Sequence, residues 1–339
     1  MRIVHSADWH LSDRLGRIDR TEDLKARVER VAAYCEEQKA DVLLIAGDLF
    51  YERAAAADIA AALHHIHQTF TPFFARRGTI LAVTGNHDDD GNIDLVRRGL
   101  FLAAPIPTGG VFAGGRMYLQ NGLAFGRFEA AGGDAAQFVL VPYPRAVRYR
   151  LPDGYRTREE EHTLLRDHLT TWLTDEVFKK AGFDPHLPTV LVAHLHVRGA
   201  TLNRSLFRMS DADDVLVEQA VLQHGWAYAA LGHIHQPQAV GGVETVRYPG
   251  PLDRLDFGER DDDRGVLVFD LGPAGVTVPP AWLPIDPTPF HDITLADPDA
   301  ELPDLAAAYP DRETAVVRVT IEKDGDELGR DQRREQARL

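Results

Sequence analysis

Five short segments of this chain carry side chains that bind metal ions, and each stands directly after an apolar run. They are Asp8-Trp9-His10, Gly47-Asp48-Leu49-Phe50, Gly85-Asn86-His87-Asp88, His194-Leu195-His196 and Gly232-His233-Ile234-His235. In extended backbone, residues i and i+2 point to the same side, so Asp8 with His10, and His233 with His235, can each face one ion. Imidazole-rich sites with a few carboxylates favour Mn, Fe, Co or Zn over Mg, which prefers oxygen and keeps its waters. Two cations about 3.5–4 Å apart would need a shared carboxylate, best supplied by Asp48, and would clamp a phosphate and activate a water. His87 follows the amide ligand Asn86 and can protonate a leaving oxygen as general acid. Asp88 either orients that imidazole or caps the next helix. Taken singly, an Asp after a strand is more often a helix cap than a ligand. Five such segments in this order are not accounted for by coincidence.

The elements that position them alternate in type. Arg2–Ser6, Asp41–Ala46 and Thr79–Thr84 read as strands, with helices over Glu22–Gln38 and Ala54–Phe70 between them. That order implies an α/β fold with a mainly buried sheet and helical crossovers. Such sheets bind ligands at the carboxyl ends of their strands, which is where all five segments lie. Gly47, Gly85 and Gly232 fit sharp turns where backbone approaches a ligand. From about Gly110 to Val141 the short, glycine-punctuated strands suggest an antiparallel extension. A helix over about Arg158–Ala181 precedes a strand at Thr189–Ala193; another helix is expected at Val215–His224, before a strand at Trp226–Leu231. The proline-bearing stretch Leu283–Phe290 reads as a linker. It divides residues 1–285 from a small β-α-β unit over 286–321 (strand Phe290–Leu295, helix Pro303–Tyr309, strand Thr314–Ile321). Residues 322–339 form a charged tail, expected to be disordered or a solvated helix.

Bulk properties exclude several classes. At 339 residues the chain is long enough for two domains, and 44% hydrophobic residues supply a core. No apolar run approaches the ~18 residues that a membrane helix requires, and the amino terminus shows no signal-peptide pattern. One cysteine, Cys35, rules out an internal disulfide framework and suits a reducing cytoplasm. A net charge of −15 argues against coating DNA through the whole surface, but not against a phosphodiester held at a local cationic centre.

The set DWH, GDLF, GNHD, AHLH and GHIH resembles the calcineurin-like metallophosphoesterase superfamily. The opening MRIVHSADWHL, the phrase VPYP at 141–144 and YPGPLDRLDFGE at 248–259 narrow the resemblance to the SbcD nuclease family, over about residues 1–321. That resemblance implies a β-sandwich flanked by helices, with the small carboxy-terminal α/β unit as a capping domain. It implies one ion held by Asp8, His10, Asp48 and His235 and the other by Asp48, Asn86, His194 and His233, with Mn²⁺ the ion expected and His87 as acid or transition-state stabiliser. The implied activity is 3′-to-5′ exonuclease on duplex DNA ends, with endonuclease action on single strands or hairpins, in double-strand-break repair. The implied partners are DNA, an SbcC-type coiled-coil ATPase and a second copy of the chain, with Leu95–Leu102 part of the dimer contact. Relatives usually continue beyond the position of residue 339 into elements that dock on the ATPase, so that docking region is expected to be missing here. Many relatives carry a His or Asp three residues after the second-motif Asp; here Tyr51 stands there, able to stack on a base or sugar.

Tyr143–Arg158 holds five arginines and three tyrosines against one acid. Arginines interleaved with aromatics suit a strand-binding loop, and Arg145, Arg148 and Arg150 are its candidate phosphate contacts; the plainer reading is a solvated loop before a helix. Arg247 and Arg254 lie near the last motif and are further candidates for contact with a substrate backbone. His64, His65 and His67 fall within a helix and lack companion ligands. His5 reads as a packed core histidine, His196 as either a supporting or an ordinary polar residue, and Trp9 as either a cover or packing. Two other readings stand beside the nuclease: another calcineurin-like phosphodiesterase or protein phosphatase with a non-DNA substrate, and a non-catalytic scaffold, which would not need the whole ligand set.

Overall fold

Val42–Ala46 reads VLLIA without a polar atom in its side chains, and such a strand must be covered on both faces. The computed structural model, which describes residues 1–103, 110–151, 154, 157–202, 214–222, 225–321 and 335–337, shows how this is done. Strands β1 (Arg2–Ser6), β2 (Val42–Ala46), β3 (Thr79–Val83) and β4 (Met117–Gln120) run parallel in one sheet, linked by helices α1 (Thr21–Glu37), α2 (Ala56–Thr69) and α3 (Asp90–Ala103). A second sheet takes β5 (Ala124–Glu129), β6 (Ala135–Val141), β7 (Thr189–His194), β8 (Tyr228–Gly232) and β9 (Val246–Tyr248); helix α4 (Arg158–Thr171) lies in the β6–β7 connection. Strands β10 (Arg264–Gly272) and β11 (Gly275–Ile285) then return to the first sheet, β10 antiparallel beside β1 and β11 antiparallel beside β10.

The alternation along each strand sorts its side chains into layers. Val42, Leu44 and Ala46 of β2 meet Val190 and Val192 of β7 and Phe138 and Leu140 of β6 between the sheets. Leu43 and Ile45 face the other way, into the core beneath α1 and α2 with Leu24, Val28 and Phe70. Leu191 and Ala193 of β7 pack with Leu165 and Leu169 of α4. The molecule is therefore two stacked sheets flanked by helices, as the resemblance implied.

Three expectations are corrected. The helix expected at Val215–His224 is a two-residue strand, Leu216–Val217, paired with His196–Val197, followed by one 3₁₀ turn at Gln219–Leu222; residues 223–224 lie outside the described residues. A short apolar run is ambiguous by periodicity, and here the buried Leu216 and Val217 are held by strand pairing. The stretch 110–141 is not one antiparallel extension: β4 joins the first sheet in parallel, while β5 and β6 form an antiparallel pair in the second. The helix near residue 303 begins earlier, at Pro298, with Asp297 accepting the Ala300 N–H as its cap.

That helix, α5 (Pro298–Ala308), connects β12 (Phe290–Leu295) to a parallel β13 (Val316–Ile321), with Ile293, Leu295, Ala315 and Val317 forming their own small core. Glu335–Ala337 pairs with β13; the rest of the tail lies outside the described residues. The unit is fastened to the main body. Phe290 and Val316 pack on Ile18 and Phe257, and the fully buried Arg20 guanidinium donates to Asp253, to Thr288 Oγ1 and to the Arg254 carbonyl. Among the described residues, no helix is long and apolar enough to cross a membrane.

Candidate metal centre

The ligand-bearing segments sit where β1, β2, β3, β7 and β8 end, and backbone hydrogen bonds lace them together. Asp8 N donates to Gly47 O and His10 N to Asp48 O, while His87 N donates to Asp48 Oδ1 at 2.8 Å. The His233 N–H donates to the Asp8 carboxylate, at 3.0 Å to Oδ1. Asp8, His10, Asp48 and His233 all have positive φ. Non-glycine residues held in that region are costly and cluster at functional sites. Gly47 (φ 95°) and Gly85 leave room for the side chains opposite. A Cβ at Gly47 would stand 1.9 Å from His194 Nδ1, and one at Gly85 would stand 2.0 Å from Asp48 Oδ1. These glycines thus admit other groups of the site rather than a ligand itself.

All seven expected ligands come together in this crevice. Asn86 Oδ1 is 3.0 Å from both His194 Nε2 and His233 Nδ1. Asp48 Oδ2 lies 3.4 Å from His194 Nε2 and 3.6 Å from His10 Nε2, central to the set as a shared carboxylate would be. Asp8, His10 and His235 form one group of converging ligand atoms, and Asp8, Asp48 and His194 another. Hydrogen-bond partners assign the histidine tautomers. His194 Nδ1 donates to the Ala46 carbonyl at 2.8 Å, which leaves Nε2 facing the crevice. His235 Nδ1 donates to Glu259 Oε1 at 2.7 Å, and His233 Nε2 donates to Asp214 Oδ2 at 2.6 Å.

The residues fit divalent cations on grounds internal to the site. His10 Nε2 is buried without a hydrogen-bond partner among the described residues, and burial drops its imidazole to about 3, so it is a neutral donor with a free lone pair. Burial alone would raise Asp48, yet the charges of His194 and His10 hold its carboxyl well below the usual range. Burial would lower His194, but Asp48 and Asp8 lift it to about 9. The buried carboxylates thus favour positive charge in the crevice, which a divalent cation would supply.

His87 stands at the rim, partly exposed, its ring 5.0 Å from that of His10 and Nδ1 3.6 Å from Glu52 Oε2. That places an imidazole beside the ligand set and open to an incoming substrate. Asp88 is corrected. It neither orients His87 nor caps α3; fully buried, it accepts from Gly85 N, Leu49 N and Phe50 N, tying the second motif to the third. Burial, with the nearby Asp48 charge, raises its carboxyl to about 6.

The arginine loop is corrected in part. Arg148 is buried, not presented to substrate. It donates to Asp90 Oδ1 and to the carbonyls of Gly85 and Asp88, clamping the third-motif loop. Arg145 pairs with Asp90 and donates to the Asn86 carbonyl at 2.6 Å while keeping some exposure. Arg150 is exposed, and Tyr51 is partly buried against the helix-side core. Within the Tyr143–Arg158 segment, residues 152, 153, 155 and 156 lie outside the described residues. Arg254 donates to the carbonyls of Asp262 and Thr288, and Arg247 pairs with Glu244. Trp9 is packing: its ring stacks near Phe70 and its Nε1–H donates to Ser6 Oγ. His5 is a core histidine bonded to Tyr228 Oη and the Leu231 carbonyl.

Reading the sequence missed Asp214 and Glu259. Both are buried carboxylates that stand behind His233 and His235, 19 and 24 positions away in sequence; Glu259 closes the phrase at 248–259 and ends a 3₁₀ turn, but no ligand spacing marks either residue.

The chain is similar to several known proteins. A protein from Rhodobacter capsulatus, named as the SbcD component of the nuclease SbcCD, is 29% identical over 93% of this chain and 78% of its own length. Proteins of the same name from Bacillus subtilis and Escherichia coli K12 are each 25% identical, over 80% and 76% of this chain, which spans 67% and 62% of theirs. A dimetal phosphatase from Danio rerio superposes with a TM-score of 0.44 at 11% identity, over 80% of this chain and 92% of that one. The family model for calcineurin-like phosphoesterases matches residues 1–237, which include all seven expected ligands and His87, and the chain belongs to that family.

Proposed function

We propose that this chain is a two-metal DNA nuclease. The observation that carries the reading is the convergence of Asp8, His10, Asp48, Asn86, His194, His233 and His235 on one crevice, with His87 at its rim. Asp8, His10, Asp48 and His235 would hold one divalent ion, and Asp48, Asn86, His194 and His233 the other, Mn²⁺ being the ion that suits this mixture of imidazole and carboxylate. Bound there, the ions supply charge that binds a phosphate and lowers the pKa of water. His87 donates a proton to the leaving oxygen, and its partial exposure lets it reach that atom. Arg145 and Arg150, with Tyr51, are the proposed contacts to the nucleic-acid strand. The relatives named as nuclease components support DNA over a small phosphoester. By the same likeness we assign 3′-to-5′ exonuclease and hairpin or single-strand endonuclease action in break repair, cytoplasmic location and an SbcC-type ATPase partner. The units proposed are a nuclease domain over 1–285 and a capping domain over 286–321. A groove of about 760 Å³ between α2 and α3, lined by Ile59, Leu63, Leu95 and Leu100, supports a homodimer.

The test incubates the purified chain with end-labelled duplex and single-stranded DNA in Mn²⁺, Mg²⁺ or EDTA. Mn-dependent shortening from 3′ ends, lost in EDTA and in His87→Ala, is the expected result. Intact DNA alongside hydrolysis of a small chromogenic phosphodiester would leave the metal centre standing and remove the DNA assignment.

A further inference from the structure

His233 and His235 are two residues apart, yet they present opposite ring nitrogens to the crevice. His235 turns Nε2 inward because Nδ1 donates to Glu259, whereas His233 turns Nδ1 toward Asn86 because Nε2 donates to Asp214. The Asp214 carboxylate is itself tightly placed. Oδ1 accepts from the Tyr143 hydroxyl at 2.8 Å and from its neighbour Val215 N, and Oδ2 stands 3.2 Å from His196 Nδ1. The Tyr143 ring in turn packs 5.5 Å from the ring of His233 and 6.1 Å from that of His194. Asp214 is thus the centre of a buried cluster, held by Tyr143, Val215 N and His196 while it holds the histidine.

We propose that Asp214 is a positioning residue for one ion alone, fixing the tautomer and ring direction of His233, and that Glu259 does the same for the other ion through His235. A carboxylate behind a ligating histidine makes the inward nitrogen more basic and limits its rotation, and loss of such a partner commonly weakens metal binding about 10–100-fold. Because the carboxylates stand behind different histidines, the two ions can be weakened separately. His196 and Tyr143 then serve to aim Asp214 rather than to touch an ion. The proposal rests on the two-ion reading above.

Calorimetric titration of Mn²⁺ alone into chelator-treated protein, without substrate, tests it. Wild type is expected to take up two ions in two resolvable steps. Asp214→Ala should weaken one step about 100-fold and leave the other unchanged, while Glu259→Gln weakens the opposite step. Asp214→Asn, which keeps an oxygen for His233 Nε2–H but loses the charge, should fall between at about 10-fold and serves if the alanine variant does not fold. Nitrogen-15 spectra of His233 should show the proton held on Nε2 in wild type and distributed over both nitrogens in Asp214→Ala. Equal weakening of both steps, or an unchanged titration with the fold intact, would overturn the proposal. Uptake of fewer than two ions by wild type would instead contradict the two-ion reading itself.

Discussion

At the scale of single residues, the site separates groups that face the crevice from groups that aim them. His87 stands half-exposed at the rim, its side chain beside His10 and Glu52, and its backbone bond to Asp48 survives truncation, so its removal should be felt chiefly in chemistry. His87→Ala is expected to lower phosphodiester hydrolysis by about 10²–10⁴-fold, the usual worth of a general acid. Metal content and melting temperature, measured on the same sample, should stay at wild-type values. Glu259 behaves differently because it is an internal ion pair. Burial opposes its charge, but His235 and Arg264 hold the carboxyl at about 2, below its ordinary 4.5. A depressed carboxyl contributes stability that is present above the unfolded-state pKa and lost as pH falls through the folded one. Metal-free wild type should therefore lose stability between about pH 4.5 and 2, and Glu259→Gln should flatten that limb of a denaturation-against-pH series.

At the scale of elements, the strands and their ends were legible in the sequence, and the loops that steady them were not. VLLIA followed by Gly-Asp announces a strand buried on both faces that stops at a ligand, and β2 with Asp48 is what forms. The order of the five segments likewise pointed to one crevice. Arg148 could not be read correctly, because its segment looks like an exposed basic loop, and only the fold shows its guanidinium turned inward onto Asp90 and two carbonyls. Asp214 and Glu259 were hidden for the same reason: a supporting carboxylate needs only one oxygen in place, so no local pattern marks it. The two roles open to Arg148 predict different losses. As a buried clamp, Arg148→Ala takes the donor from the Gly85 and Asp88 carbonyls, while Asp90 keeps Arg145 and Asn121, and should cost about 3 kcal/mol of unfolding free energy. Arg150→Ala, on an exposed side chain, should change stability little. Urea denaturation of the two variants distinguishes clamp from surface contact.

At the scale of the whole molecule, the proposed ligands come from both sheets, so the candidate centre joins the halves of the sandwich. Asp8, His10, Asp48 and Asn86 follow strands of the first sheet, and His194, His233 and His235 those of the second. A cation held between them binds the folded state only, and should stabilise it by RT ln(1 + [L]/Kd), about 2.7 kcal/mol at 100 times Kd. Added Mn²⁺ should accordingly raise the melting temperature of chelator-treated protein, and EDTA should reverse the rise. The unit over 286–321 is held to the same body by Arg20, Asp253 and Thr288, which keeps it beside the loop that carries Glu259. The central claim is that this shared ligand set works as a two-ion centre, and one titration addresses it. Hydrolysis of a chromogenic phosphodiester is followed while Mn²⁺ is added in equivalents to chelator-treated protein. The account predicts a rate that stays near zero through the first equivalent and rises with the second. Full activity with a single equivalent, or activity that persists in EDTA, would contradict it.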